Sequence, residues 1–157
     1  MTAVFLHLSD IHVRGAKDPI LSRGNEIASA AYSSLPAASH VFILVSGDIA
    51  FSGTATEYEA ATTFFKSIQA GLRSQTSAPI NFVMVPGNHD CDFQKSNAVR
   101  ALIVDTLERQ ESPRIDDSVI DACTAIQSDF FAFRRAFEGD EQATGDQLWR
   151  SLHFQVE

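Results

Sequence analysis

Three short polar clusters hold most of the residues here that could do chemistry: Ser9-Asp10-Ile11-His12, Ser46-Gly47-Asp48 and Pro86-Gly87-Asn88-His89-Asp90. Carboxylate and carboxamide oxygens together with imidazole nitrogen suit divalent ions such as Mn, Fe or Zn. Carboxylates held close together repel and raise each other's pKa, and bound cations remove that conflict. Asp10 and His12 occupy alternate positions just past an apolar run, so both side chains can point the same way. An aspartate between two cations can bridge them with its two oxygens, and Asp48, in the middle cluster, is the natural candidate. Gly47 and Gly87 permit tight turns and close backbone approach.

Each cluster directly follows an apolar run, at residues 3–8, 41–45 and 80–85. Continuous runs of this kind suit strands covered on both faces, as in a parallel sheet. Between the first two, residues 20–35 read as a helix with Ile27, Ala31 and Leu35 on one face, stopped by Pro36. Between the second and third, residues 57–72 read as a stronger helix. Tyr58, Ala61, Phe65, Ile68 and Leu72 form its apolar stripe, and Thr56 with Glu59 fits a capping box. The order is β-α-β-α-β, and right-handed crossovers make the strands parallel. Loops beyond the carboxyl ends of such strands share one edge, where ligands bind. The separations of 38 residues from Asp10 to Asp48 and 40 from Asp48 to Asn88 leave room for a crossover helix each time. The expected fold therefore gathers Asp10, His12, Asp48, Asn88, His89 and Asp90 at one place. Turn capping by small polar residues accounts for any one cluster, but not for all three together.

Farther along, residues 98–110 read as a helix burying Val99, Leu102, Ile103 and Leu107. Residues 118–138 read as another, with Val119, Cys123, Ile126, Phe130, Phe133 and Phe137 aligned. Asp116 or Asp117 caps it and Gly139 ends it. The aromatic stripe reads as core. His7 reads as a packed core residue, and His40 and Arg14 as surface, Arg14 within reach of a substrate phosphate. Cys91 has no basic partner in sequence, so no thiolate nucleophile is expected. Asp92 extends the loop's negative charge. For Asp90, capping of the following segment and orientation of His89 both stand.

These motifs resemble the calcineurin-like metallophosphoesterase family: D-x-H as Asp10-Ile11-His12, G-D as Gly47-Asp48 and G-N-H-D as Gly87-Asn88-His89-Asp90. The resemblance implies an α/β fold, the N-terminal half of an α/β/β/α sandwich. Residues 1–93 would be its parallel β-α-β-α-β core, residues 94–150 a helical insertion or cap, and residues 151–157 the start of a further strand. It implies two divalent metal ions, with Asp10 and His12 on the first, Asp48 bridging and Asn88 on the second. His89 would contact the phosphoryl oxygen or protonate the leaving group, oriented by Asp90. The implied reaction is hydrolysis of a phosphomonoester or phosphodiester by metal-activated water. The stretch from Gly47 through Gly53 to Glu57-Tyr58 is similar to the cyclic-nucleotide phosphodiesterase branch. The family's downstream histidines, ending in G-H-x-H, have no counterpart, since only His153 follows His89. The chain is thus expected to be an N-terminal piece, inactive or nearly so alone, with further domain sequence beyond Glu157. The missing histidines also admit a second reading, a non-catalytic scaffold or sensor module of a larger protein.

Composition sets the outer bounds. A length of 157 residues fits one domain, and 45% hydrophobic with 20% charged residues excludes a coiled coil, a collagen-like rod and a wholly disordered chain. Twelve basic against 20 acidic residues leave a net charge of -8. That disfavours tight binding to nucleic acid or an anionic membrane, and no basic groove for a nuclease is visible. A phosphate-ester substrate remains compatible, because bound cations reverse the local field. The apolar runs fall far short of the ~20 residues of a membrane helix. No basic leader precedes Asp10, and Cys91 and Cys123 form no C-x-x-C pair, so a reduced, cytoplasmic chain is expected.

Overall fold

The computed structural model describes residues 2–109 and 114–138. Strands β1 (Ala3–Leu8), β2 (His40–Ser46) and β3 (Ile80–Val85) form a parallel sheet in the order β1-β2-β3. Register runs from Ala3 opposite His40 to Leu8 opposite Val45, and from Val41 opposite Ile80 to Ser46 opposite Val85. All three strands therefore end at one edge. Helices α1 (Gly24–Ala30) and α2 (Ala55–Arg73) make the crossovers, and α3 (Ala98–Arg109), α4 (Asp117–Thr124) and α5 (Ser128–Glu138) follow. The fold is α/β with a parallel sheet, as the sequence implies.

The core lies on one face of the sheet. Val41, Ile43, Val45, Phe82 and Met84 pack there with Phe64, Phe65, Ile68 and Leu72 of α2 and with Phe130, Phe131 and Phe133 of α5. The expectation of strands covered on both faces is not met among the described residues. Phe5 is 62% exposed and Val85 51% on the opposite face. His7, expected in the core, is exposed there too, its Nε2 2.8 Å from Ser46 Oγ. β1 pairs with β2 alone among the described strands, so its side chains alternate between half-buried and exposed. His40 is half-buried and stacks on Phe42.

Several helix boundaries differ from expectation, each for a local reason. Residues 20–35 are not one helix. A 3-10 turn at Pro19–Arg23, started by Asp18 accepting the Ile20 N–H, leads into α1, which ends at Ala30. Ser33 and Ser34 favour turns over helix interiors, and a second 3-10 turn, Leu35–Ala37, contains Pro36. α2 begins two residues before the expected start, so its capping box is Thr54 with Glu57 rather than Thr56 with Glu59. Glu57 Oε2 accepts the N–H groups of Ser52 and Thr54, each at 3.0 Å. Residues 118–138 split into α4, a 3-10 turn Ala125–Gln127 and α5. Near the break, the Cys123 carbonyl accepts from Arg100 Nε at 3.0 Å, and the Ile126 carbonyl accepts from Asp92 N–H at 2.7 Å. Carbonyls so engaged are drawn out of the helical ladder. Asp116 caps α4 as expected, accepting the Val119 N–H, and the Ser118 hydroxyl on the same carboxylate lowers its pKa. α3 buries none of its residues; Val99 is 64% and Leu102 67% exposed. The expected Gly139 stop, the strand at residues 151–156 and His153 lie outside the described residues.

Candidate metal centre

Beyond the sheet edge the first two loops continue side by side. Asp10 N–H donates to the Gly47 carbonyl at 3.3 Å, His12 N–H to Asp48 O at 2.9 Å, and Val13 N–H to Ile49 O at 2.9 Å. Val13 and Ala50 form an isolated parallel bridge, with both side chains fully buried. This backbone zipper carries strand-like pairing past Leu8 and Ser46 and sets Asp10 and His12 beside Asp48. The third loop closes onto the second: His89 N–H donates to Asp48 Oδ1 at 2.9 Å.

The result is a tight donor set. One ligand atom from each of Asp10, His12 and Asp48 lies within 4.8 Å of the others. The His12 and Asp10 side chains approach to 4.0 Å. His12 Nδ1 is buried and without a hydrogen-bond partner. The ring nitrogen that faces the carboxylates is Nε2, 4.0 Å from Asp10 Oδ1, and it is the one a divalent cation would take. Asp10, His12 and Asp48 all have left-handed backbones, with φ of 53°, 52° and 54°. Such conformations are costly for residues with side chains and are retained where the surroundings hold them. Among the described residues other than glycine, left-handed backbone occurs at these three candidate ligands, which is what a preorganised site requires. Gly87 is obligatory for a different reason. A Cβ there would sit 2.1 Å from Asp48 Oδ1, so any side chain would push the carboxylate away. Gly47, at φ 102°, has the Gly87 backbone 2.8 Å from where its own Cβ would be.

Asn88 is exposed at the same edge, between Gly87, which packs on Asp48, and His89, which donates to it. His89 is half-buried; its ring meets the His12 ring edge-on, centroids 4.6 Å apart. Its orientation does not come from Asp90. His89 Nδ1 lies 2.8 Å from the Phe51 carbonyl. A carbonyl only accepts, so Nδ1 carries the proton and Nε2 is left for other partners.

Asp90 is fully buried and acts as a clamp between loops. It accepts Gly87 N–H at 2.9 Å, Ile49 N–H at 3.3 Å, Ala50 N–H at 3.0 Å and the Tyr58 hydroxyl at 2.7 Å. The expected partnership with His89 is replaced by four donors from its own loop, the second loop and α2. Burial first, and then the Asp90 carboxylate, push the Tyr58 phenol upward, so it stays a donor. Tyr58 reads from sequence only as part of the α2 apolar stripe; its hydroxyl gives no periodic signal. Phe51 escapes sequence reasoning for the same reason, since it acts through its carbonyl and through a ring that Arg14 covers at 4.2 Å. Asp92 caps the next turn, accepting Gln94 N–H at 3.0 Å. Cys91 is half-buried with Sγ 3.5 Å from Gln127 Nε2, and burial pushes its thiol up. An inert thiol is what the lack of a basic partner leads one to expect.

No curated protein and no solved structure matches the chain. Among the described residues no helix is long and apolar enough to cross a membrane. A family model does match, and its match to residues 3–151 takes in β1, β2, β3 and all three polar clusters at their ends, so the chain belongs to the calcineurin-like phosphoesterase family.

Proposed function

We propose that this chain carries the metal-binding edge of a phosphoesterase that hydrolyses a phosphomonoester or phosphodiester. The observation that carries the reading is the convergence of Asp10, His12 and Asp48, with His12 Nε2 turned toward the Asp10 carboxylate. In this reading Asp10 and His12 would hold one divalent ion, Asn88 would serve a second, and Asp48 would be shared between them. When bound, the cations supply charge for phosphoryl oxygens and lower the pKa of water. The chain's own residues do the rest. Asp48 is fixed by the His89 N–H, which leaves its remaining lone pairs for cations. Phe51 holds the His89 ring through Nδ1, so that in the imidazolium form Nε2–H can donate to a phosphoryl or leaving-group oxygen. Asp90 and Tyr58 keep the second and third loops in register, which is a positioning role.

Among the described residues, Asp48 and Asn88 would serve the second ion, fewer than such a site requires, and the second reading, a scaffold or sensor without catalysis, rests on that shortfall. Titration with Mn²⁺ separates the two. The phosphoesterase reading expects Mn²⁺ binding by the chain that Asp48→Ala abolishes, with slow turnover of a generic phosphodiester lost in the same variant. Equal Mn²⁺ uptake by Asp48→Ala, or none by either protein, would overturn it.

A further inference from the structure

Beside the metal cluster lies a cavity of about 360 Å³ lined by Phe51, Ser52, Asn88, His89, Asp92 and Phe93, among others. Its size is at the lower end for small-molecule sites. Two of its walls are phenylalanines open to solvent, Phe51 at 39% and Phe93 at 65% exposure. Neither sits on a loose loop. The Phe51 N–H donates to Val13 O at 3.1 Å, its carbonyl faces His89 Nδ1 at 2.8 Å, and Arg14 lies over its ring. Phe93 opens a 3-10 turn that Asp92 fixes at its start: the Asp92 side chain accepts Gln94 N–H and its own N–H donates to Ile126 O. Exposed aromatic surface held in place next to a polar site marks a binding surface rather than scattered surface residues.

The cavity's position relates it to the phosphoryl group. His89 lines it on one side and meets the His12 ring on the other. A phosphoester held at Asp10, His12 and Asp48 would direct one substituent past His89 into this space. Asp92 is among the lining residues and no lysine or arginine is, while Arg14 covers one face of the Phe51 ring at 4.2 Å. The site therefore offers no net positive charge to a second phosphate or a carboxylate, whereas a flat uncharged ring would find the open Phe93 ring and the uncovered side of Phe51 with polar groups at their edges.

Resting on the phosphoesterase reading, we propose that Phe51 and Phe93 form a slot for the leaving group, which selects phosphoesters whose leaving group carries a flat, uncharged aromatic ring. An aryl ring and a nucleobase share this chemistry. Asp92 distinguishes them, because its carboxylate can accept from an exocyclic amine that a plain aryl ring lacks.

The test uses phosphonates, which cannot be hydrolysed, so binding is read without turnover. Calorimetry on the full chain with Mn²⁺ compares benzylphosphonate, propylphosphonate and the phosphonate analogue of adenosine 5'-monophosphate. Both ring-bearing ligands are expected to bind roughly tenfold more tightly than propylphosphonate, one decade in affinity. Phe93→Ala is expected to bring that ratio within about twofold of unity, and Phe93→Tyr to restore it. A further gain for the adenosine compound that disappears in Asp92→Asn, a variant that can still cap Gln94, identifies a nucleobase slot. Equal binding of the two rings identifies an aryl slot. Propylphosphonate binding as tightly as the ring compounds, or a ring preference intact in Phe93→Ala, overturns the proposal while leaving the phosphoesterase reading in place. If none of the three shows Mn²⁺-dependent binding, the phosphoesterase reading itself falls and takes the slot with it.

Discussion

The loops at the sheet edge and the α3–α4 pair hold their residues on opposite terms. At the edge, the fully buried Asp90 takes four donors, and the first two loops are stitched by main-chain bonds. In α3 no residue is buried, and Val99 and Leu102 face solvent. The difference teaches where rigidity resides in this chain. It comes from cross-loop hydrogen bonds to the strand ends, and the helical segment after Lys95 joins the main core chiefly through α5.

Asp90→Ala should break that contrast most severely. It leaves the buried Ile49 and Ala50 N–H groups, the half-buried Gly87 N–H and the Tyr58 hydroxyl without their acceptor. Buried unsatisfied groups cost about 1–3 kcal/mol each before relaxation, and large network losses reach about 4–5 kcal/mol. We expect a loss of about 4 kcal/mol by urea denaturation. A loss under about 1 kcal/mol would show that the clamp is not what joins the loops.

Gly87→Ala should separate geometry from stability. The new methyl would meet Asp48 Oδ1 at 2.1 Å and the Asp48 backbone nitrogen at 2.7 Å, so the carboxylate and its loop must both move. Mn²⁺ affinity is expected to fall by about tenfold or more, a factor equivalent to about 1.4 kcal/mol. Circular dichroism should show the secondary structure retained, with some loss of stability from the backbone shift at Asp48. Unchanged Mn²⁺ affinity would mean that Asp48 tolerates displacement and is not held by the Gly87 approach.

These two residues also mark how far the sequence could be read. The motifs at residues 10–12, 47–48 and 87–90 stand where strands end, and helix-length spacings lead directly to one shared edge. That much follows from patterning, because apolar runs and crossover lengths are one-dimensional facts. What the pattern leaves hidden is which polar group meets which. Asp90 sits beside His89 in the chain, yet its carboxylate turns toward Ala50 and Tyr58, because those buried donors have greater need of an acceptor. His7 lies in an apolar run and still faces outward, because helices cover only one side of the sheet among the described residues. Likewise residues 118–138 keep helical periodicity across a break that tertiary bonds to Cys123 and Ile126 impose.

Tyr58→Phe sharpens the comparison at smaller scale. It removes one donor from Asp90 and leaves the ring in place against Phe130 and Phe133. A single buried bond to a charged acceptor is worth about 1.5–3 kcal/mol. The lower end, about 1.5 kcal/mol, is expected here because three other donors remain. Loss of the whole Asp90→Ala effect from this one change would place the clamp in Tyr58 rather than in the carboxylate.

The smallest effect belongs to α3. Val99→Ala removes two methyl groups from a side chain that is 64% exposed, so little apolar surface leaves or enters water on folding. Alanine also has the higher helix propensity, by a few tenths of a kcal/mol, which offsets any lost contact. The net change by denaturation should lie within about 0.5 kcal/mol, the range for surface substitutions. Mn²⁺ affinity should not move, because α3 contributes none of the strand-end groups. A loss above about 1.5 kcal/mol would require this face of α3 to be packed in solution. The contrast between a bonded edge and an unburied helix would then no longer hold.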